Sequence, residues 1–300
     1  MPADPAPLIG VDFTCTPSRR KPITAARGRV VGAGSAAARL QLDGVDAIAD
    51  WPAFDALLRT PGPWVGAFDF PFGWPRAFVD SLGLGHTTAE VMATLRARCP
   101  DRLALRALID AWSAERPAGR KLPHRSTDTA LGGATSTSPL QTRYVPVAFM
   151  AYEGLPRLLA AGLHLPGLHT GDAARIALEG YPGALVHTLI GRRSYKNAAS
   201  ADRLIARKDL VSALERGHAP GGMRLKLTPA QHDALVADAS GDRLDAVLCL
   251  VQAAWAQAQP RWGLPPVVDP VEGWIVGARP APAMGVAAAM GMATATATAA

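Results

Sequence analysis

Cysteine is scarce in this chain: Cys15, Cys99 and Cys249 lie far apart, are odd in number and form no CxxC pair. That spacing excludes the usual framework of a zinc ribbon, a ferredoxin cluster or a disulfide scaffold. A cytoplasmic location is the simplest expectation for such a chain. Lysine is scarce as well, with five residues against 26 arginines among the 31 basic side chains. No P-loop and no GxGxxG follows a strand-like run, so the signatures that cradle a nucleotide are missing. No GxSxG occurs either. The opening MPADPAP has neither a basic stretch nor an apolar one, so a signal peptide is not expected. From Arg279 to Ala300 the chain lacks Leu, Ile and Phe. It is long enough there for a membrane span, but its small residues predict a disordered tail over 278–300 and no membrane partner.

What is present is an ordinary globular balance: 300 residues, 49% hydrophobic and 19% charged. That supplies core for one large domain or two small ones. The net charge is +6. Arginine suits planar, bidentate partners such as phosphate, which fits a nucleic-acid partner. Arginine excess also accompanies Ala-rich composition, so charge alone leaves both explanations open. Oligomeric state is not readable.

Apolar runs at Leu8–Phe13, Trp64–Asp69 and Ala173–Leu178 predict strands buried on both faces. Ile23–Val31 and Ala37–Leu42, separated by Gly-rich turns, extend the first into an antiparallel meander. Helices are expected at Trp51–Arg59, Thr87–Arg116 (broken at Pro100), Val147–Ala161, Ala184–Ile190, Ser200–Arg216, Pro229–Ala239 and Asp242–Gln259. Gly273–Val276 is a candidate closing strand. A meander followed by crossovers predicts an α/β fold, a mixed sheet covered by helices. One domain is expected over 8–277, with a helical insertion at about 75–165. Within it, 119–145 is a long polar stretch, either functional or disordered.

Three buried strands end on an acid: Asp12 after Ile9-Gly10-Val11, Asp69 after Val65–Phe68, and Glu179 after Ile176-Ala177-Leu178. Ligand sites in such sheets lie near the carboxyl ends of the strands. Parallel neighbours would bring these acids together. Carboxylates packed together repel, and a divalent cation removes the conflict. A fourth source of acid is the helix opening Gly241-Asp242-Arg243-Leu244-Asp245, with an apolar stripe of Leu244, Val247, Leu248, Val251 and Trp255. The set Asp12, Asp69, Asp242 and Asp245 is the expected ligand set for Mg²⁺ or Mn²⁺, in the manner of two-metal phosphoryl transfer. Each acid also has a plain structural role open to it. Asp12 can cap the turn before Thr14 and Thr16, and Asp69 can hold the FDFPFG turn through an Asx bond. Glu179 can pair with an arginine, Asp242 can cap its helix and Asp245 can favour the dipole.

The segments GVDFTCTPSRRKPITAARG, FDFPFGWPR, ALEGYPGAL, RRSYKN and SGDRLDAVLCLVQAAWA together resemble domain-of-unknown-function family 429, whose members are regarded as nucleases of ribonuclease H-like fold. The resemblance spans roughly residues 8–277. It implies three antiparallel strands followed by two parallel ones. It also implies catalytic roles for Asp12 as the first-strand acid, Asp69 as the fourth-strand acid and Asp245 at the C-terminal helix. Glu179, in the family's own LEGYP motif, is expected with them as a catalytic residue at the edge of the site. Lys196 is a candidate catalytic residue: with Arg192 and Arg193 it forms a basic cluster able to bind a phosphate, to neutralise charge in the transition state, or to remain a solvated helix end. His124, beside Arg125 in the polar stretch, is a candidate general acid. Trp74 and Trp112 can stack bases, although core packing is the commoner use of such residues.

A metal-dependent nuclease acting on DNA or RNA is therefore the leading expectation. The alternatives are a sugar-kinase-like, ATP-dependent phosphotransferase, suggested by Asp12-Phe13-Thr14-Cys15-Thr16, and a non-catalytic binding module. The phosphotransferase reading lacks the usual Gly after the Asp.

Overall fold

Five of the seven strands come from the apolar runs above, and their pairing decides where the acids go. The computed structural model describes residues 5–35, 37–119 and 121–279. Strand β1 is Leu8–Asp12, β2 Ile23–Val31 and β3 Arg39–Ile48. These three pair antiparallel in sequence. Strand β4, Trp64–Asp69, lies parallel to β1, and β6, Asp172–Glu179, lies parallel to β4. Two short strands finish the sheet: β5, Leu163–His164, beside β6, and β7, Arg224–Lys226, beside β3. The order is β5-β6-β4-β1-β2-β3-β7. The mixed sheet expected from the sequence, antiparallel and then parallel, is what the chain forms.

Helix α1, Trp51–Leu58, follows β3. Helices α2, Arg76–Leu82, α3, Thr88–Arg98, α4, Arg102–Ala114, and α5, Val147–Ala160, fill the insertion between β4 and β6. After β6 come α6, Pro182–Ile190, α7, Ala201–Glu215, α8, Pro229–Ala237, and α9, Asp242–Gln257. Side chains alternate across the sheet. Ile9, Val11, Phe68 and Ala177 face one core with Phe54, Val79, Val91, Leu105 and Tyr152 from α1–α5. Leu8, Val65, Ala67 and Leu178 face a second core with Leu185, Leu210, Leu235 and Val247 from α6–α9. Two apolar faces each covered by helices make three layers.

Some local expectations need correction. Strand β3 runs on to Ile48 because it stays paired with β2 back to Ile23. Neither β5 nor β7 shows in the hydrophobic pattern: two- and three-residue edge strands are too short for a period. Helix α2 was also unforeseen. Gly273–Val276 forms no strand, only a single bridge from Ile275 to Glu179. Helix α9 is buried on nearly all sides rather than along one stripe, because it packs on the sheet while other helices close over it. Asp242 does not cap it. The cap position is Gly241, and no side chain bonds there. Trp74 and Trp112 are both buried in the first core. The three cysteines are free. No helix among the described residues is long and apolar enough to cross a membrane. The expected tail lies outside the described residues beyond Arg279.

Candidate metal centre

Register brings the first two acids together. In the parallel pairing of β1 with β4, Asp12 is the direct partner of Asp69. Both follow the side-chain parity of the face that packs on α9. Asp245, in the first turn of α9, completes the group. One carboxylate oxygen from each of Asp12, Asp69 and Asp245 lies within 4.8 Å of the others. Oxygens facing one another across a Mg²⁺ shell are about 4.2 Å apart, so the three have the size and chemistry of a hard-cation site.

Helix α9 reaches the strand ends because Gly10 has no side chain. A Cβ there would stand 2.1 Å from both the Ala246 carbonyl oxygen and the Leu250 nitrogen. Backbone thus lies against backbone, and Asp245 is carried onto the acids of β1 and β4.

A loop after α6 supplies the counter-charge. Lys196 Nζ donates to Asp245 Oδ2 at 2.5 Å, and the Tyr195 hydroxyl donates to Asp245 Oδ1. Two arginines of α7 hold this loop: Arg207, buried, donates to the Tyr195 carbonyl at 2.7 Å, and Arg203 donates to that of Lys196 at 2.5 Å. Gly241 makes room for it. Its φ is +83°, and a Cβ would meet Lys196 Cβ at 2.5 Å.

The carboxylates of Asp12 and Asp69 accept no hydrogen bond from the described residues, so the turn-holding roles open to them in the sequence are not the ones they take. Burial, then the charges of Asp245, Asp69 and Asp242, push the Asp12 carboxyl well above its usual range, against a lowering by Lys196. Burial and the charge of Asp245 push Asp69 up to about 7, again against Lys196. Asp245 is raised by burial, with Lys196 and Tyr195 opposing. Burial disfavours the Lys196 ammonium, but Asp245 and Asp69 outweigh it, and its pKa is raised. Fully ionised, the three acids and one ammonium sum to −2, the charge a divalent cation balances.

Glu179 takes a different position. Its register partner on β4 is Phe68, not Asp69, so its side chain leaves from the opposite face of the sheet. There Arg125, buried in the polar stretch, donates to both of its oxygens, at 2.5 and 2.9 Å. The Phe72 amide adds a third bond at 2.9 Å. The second face of the Arg125 guanidinium meets Asp128, at 2.8 Å. Burial raises the Glu179 pKa while Arg125 lowers it. Glu179 therefore holds the turn that follows Asp69, and Arg125 holds Glu179. The sequence left Glu179 an arginine partner but gave no sign that Arg125 would be it.

The residues assembled here span most of the chain, as does one known family. The model of the family described as Protein of unknown function (DUF429) matches residues 10–266. The chain belongs to the DUF429 family. No curated protein and no solved structure matches it.

Other candidate residues of this DUF429 chain lie around the cluster. Asp242 is not among the three grouped acids; it stands 3.9 Å from Lys21, with its charge still felt at Asp12. Arg192 and Arg193 are exposed, and Arg193 pairs with Asp209 at 2.6 Å. His124 is exposed in the polar stretch. Tyr195 and Gln252 were missed by the sequence reading. Buried Gln252 on α9 accepts from the Tyr181 amide at 2.9 Å and so fixes the LEGYP turn beside the cluster. A polar residue inside the otherwise apolar face of α9 is the signal that would have found it. A cleft of about 270 Å³ opens over Asp69, Glu179 and Lys196, with Phe70, Val147 and Met150 in its wall.

Proposed function

We propose that this DUF429 chain is a metal-dependent nuclease that hydrolyses phosphodiester bonds of nucleic acid. The observation that carries the reading is the in-register pairing of Asp12 with Asp69, with Asp245 brought onto the same face. The strand order, antiparallel and then parallel, supports it, being the order that a ribonuclease H-like fold implies.

Asp12, Asp69 and Asp245 would hold Mg²⁺ or Mn²⁺. The bound cation would polarise the phosphate and make a water acidic enough to attack. Asp12, on the central strand of the three elements, is the ligand whose loss disturbs the site most. Lys196 fixes one oxygen of Asp245 and leaves cationic charge at the cleft, where a phosphate oxygen gains charge in the transition state. Glu179 acts at one remove, holding the turn that follows Asp69. Asp242 is an outer carboxylate whose charge adds to the field at Asp12.

The test is cleavage of labelled DNA, RNA and small phosphodiesters in Mg²⁺ or Mn²⁺, with Asp12→Asn beside the wild type. Cleavage by the wild type alone is expected. An Asp12→Asn protein as fast as the wild type overturns the mechanism. A wild type that cuts nothing but transfers phosphate from ATP to a sugar places the site among phosphotransferases instead.

A further inference from the structure

The cleft that opens beside Asp69 does not end there. A second cavity, of about 350 Å³, adjoins it and shares Tyr181, Gly183 and Val186 as a common wall. The two halves differ in charge. The first is mixed, with the acids Asp69 and Glu179 beside the cations Arg125 and Lys196. The second is lined by Arg192, Arg193 and His187, and no carboxylate lines it among the described residues. Arg192 makes no hydrogen bond or ion pair with the described residues. Arg193 keeps its partner Asp209, both about half exposed. At the other lip, Val145 lines the first cavity, and the adjacent Tyr144 is 99% exposed.

Arginines along one arm of a groove and an aromatic ring in water at the other are the two elements that bind single strands. Cations follow the phosphates, and rings stack on bases. A cleft of about 270 Å³ is at the lower end of small-molecule pocket sizes. That is the scale of one nucleotide, and an exposed ring stacks only on a base that is not already stacked inside a duplex.

We infer that the continuous groove takes a single strand of nucleic acid, with Arg192 and Arg193 on a phosphate flanking the one at the acids and Tyr144 against a base on the other side. The inference rests on the nuclease reading for the role of the acids, but the groove can be tested by binding alone. A mononucleotide fills one half of it and a strand fills both.

The experiment is fluorescence anisotropy with a labelled 12-nucleotide single strand in Ca²⁺, using the full chain. Four comparisons are made: the matching duplex, a mononucleotide competitor, Arg192→Ala/Arg193→Ala and Tyr144→Ala. A charge-matched pair on the far edge of the sheet, Arg39→Ala/Arg224→Ala, serves as control. The strand is expected to bind more tightly than the duplex or the mononucleotide. The groove pair should weaken it about tenfold or more and reduce the salt slope by up to about 1.4. Tyr144→Ala should weaken it about fivefold, with Tyr144→Phe restoring it. The edge pair should change little. Equal losses from both arginine pairs, tighter binding of duplex, or no binding of the strand overturns the inference. Binding through the groove without cleavage in Mg²⁺ or Mn²⁺ overturns the nuclease reading and leaves the groove standing. Cleavage of small phosphodiesters without strand binding does the reverse.

Discussion

On one face of the sheet end, Asp12, Asp69 and Asp245 share a single ammonium, and the first two accept no hydrogen bond from the described residues. On the opposite face, Glu179 and Asp128 share the Arg125 guanidinium, and the surrounding donors satisfy them. Glu179 also takes the Phe72 amide, and Asp128 takes the Arg125 amide and the Ser136 hydroxyl. The chain thus shows two ways of holding carboxylates at one end of its sheet. The paired set is internally solvated and rigid, so it suits holding a turn. The under-neutralised set keeps an unmet demand for positive charge, so it suits a ligand that brings charge in.

The largest effect is expected at the under-neutralised set. Asp12→Asn should lower metal-dependent hydrolysis by about 10³-fold or more, since a ligand to a catalytic cation is worth several kcal/mol. It should also leave the metal-free melting temperature unchanged or raised, because one repelling charge is gone. Cleavage assays and calorimetry of the same preparation check both. A metal-free protein that melts several degrees lower would make Asp12 a structural residue like Glu179 and erase the contrast.

The paired set should respond in the opposite sense. Arg125→Met leaves two buried carboxylates without their cation, which costs about 3–5 kcal/mol of stability. Urea unfolding measures it. A loss below about 1 kcal/mol would mean that the two faces do not differ in kind.

Gly241→Ala sharpens the comparison from the backbone. A Cβ at φ +83° carries about 1–2 kcal/mol of left-handed strain, and it also pushes on Lys196. Lower stability and weaker metal binding should appear together in thermal melts with and without Mg²⁺. Weakened stability with unchanged metal response would show that Lys196 can move without disturbing Asp245.

The remaining test is the pH dependence of the metal-free protein. The folded pKa of Asp69 is raised from 3.8 to about 7. Between those values the folded state binds more protons than the unfolded one, so stability falls as pH rises through that window. The melting temperature should drop between about pH 4 and pH 7, and saturating Mg²⁺ should remove the upper part of the drop. Arg125→Met should not abolish this trend. A metal-free melting temperature that rises across the window would contradict a raised Asp69.

Much of the fold was readable because its buried strands are continuous apolar runs and its long helices carry a 3.6-residue period. The short edge strands had no period to read. The strand-end acids were visible too, and so was the SGDRLD helix opening. Arg125 was not, because it comes from an irregular polar stretch whose path depends on the helices around it. Tyr195 was not singled out, since a lone aromatic in a loop has no pattern.

The sequence by itself determined which residues could do chemistry here: acids at the ends of three buried strands and an acid in the first turn of a helix. It did not determine which acids would meet. Pairing β1 with β4 in register set Asp12 beside Asp69, and pairing β6 one residue off set Glu179 beside Phe68. Side chains on a strand alternate with a period of two, so that single residue moved Glu179 to the other face and to Arg125. Only the tertiary pairing, fixed by which apolar faces the helices cover, made one carboxylate a brace and three others a site.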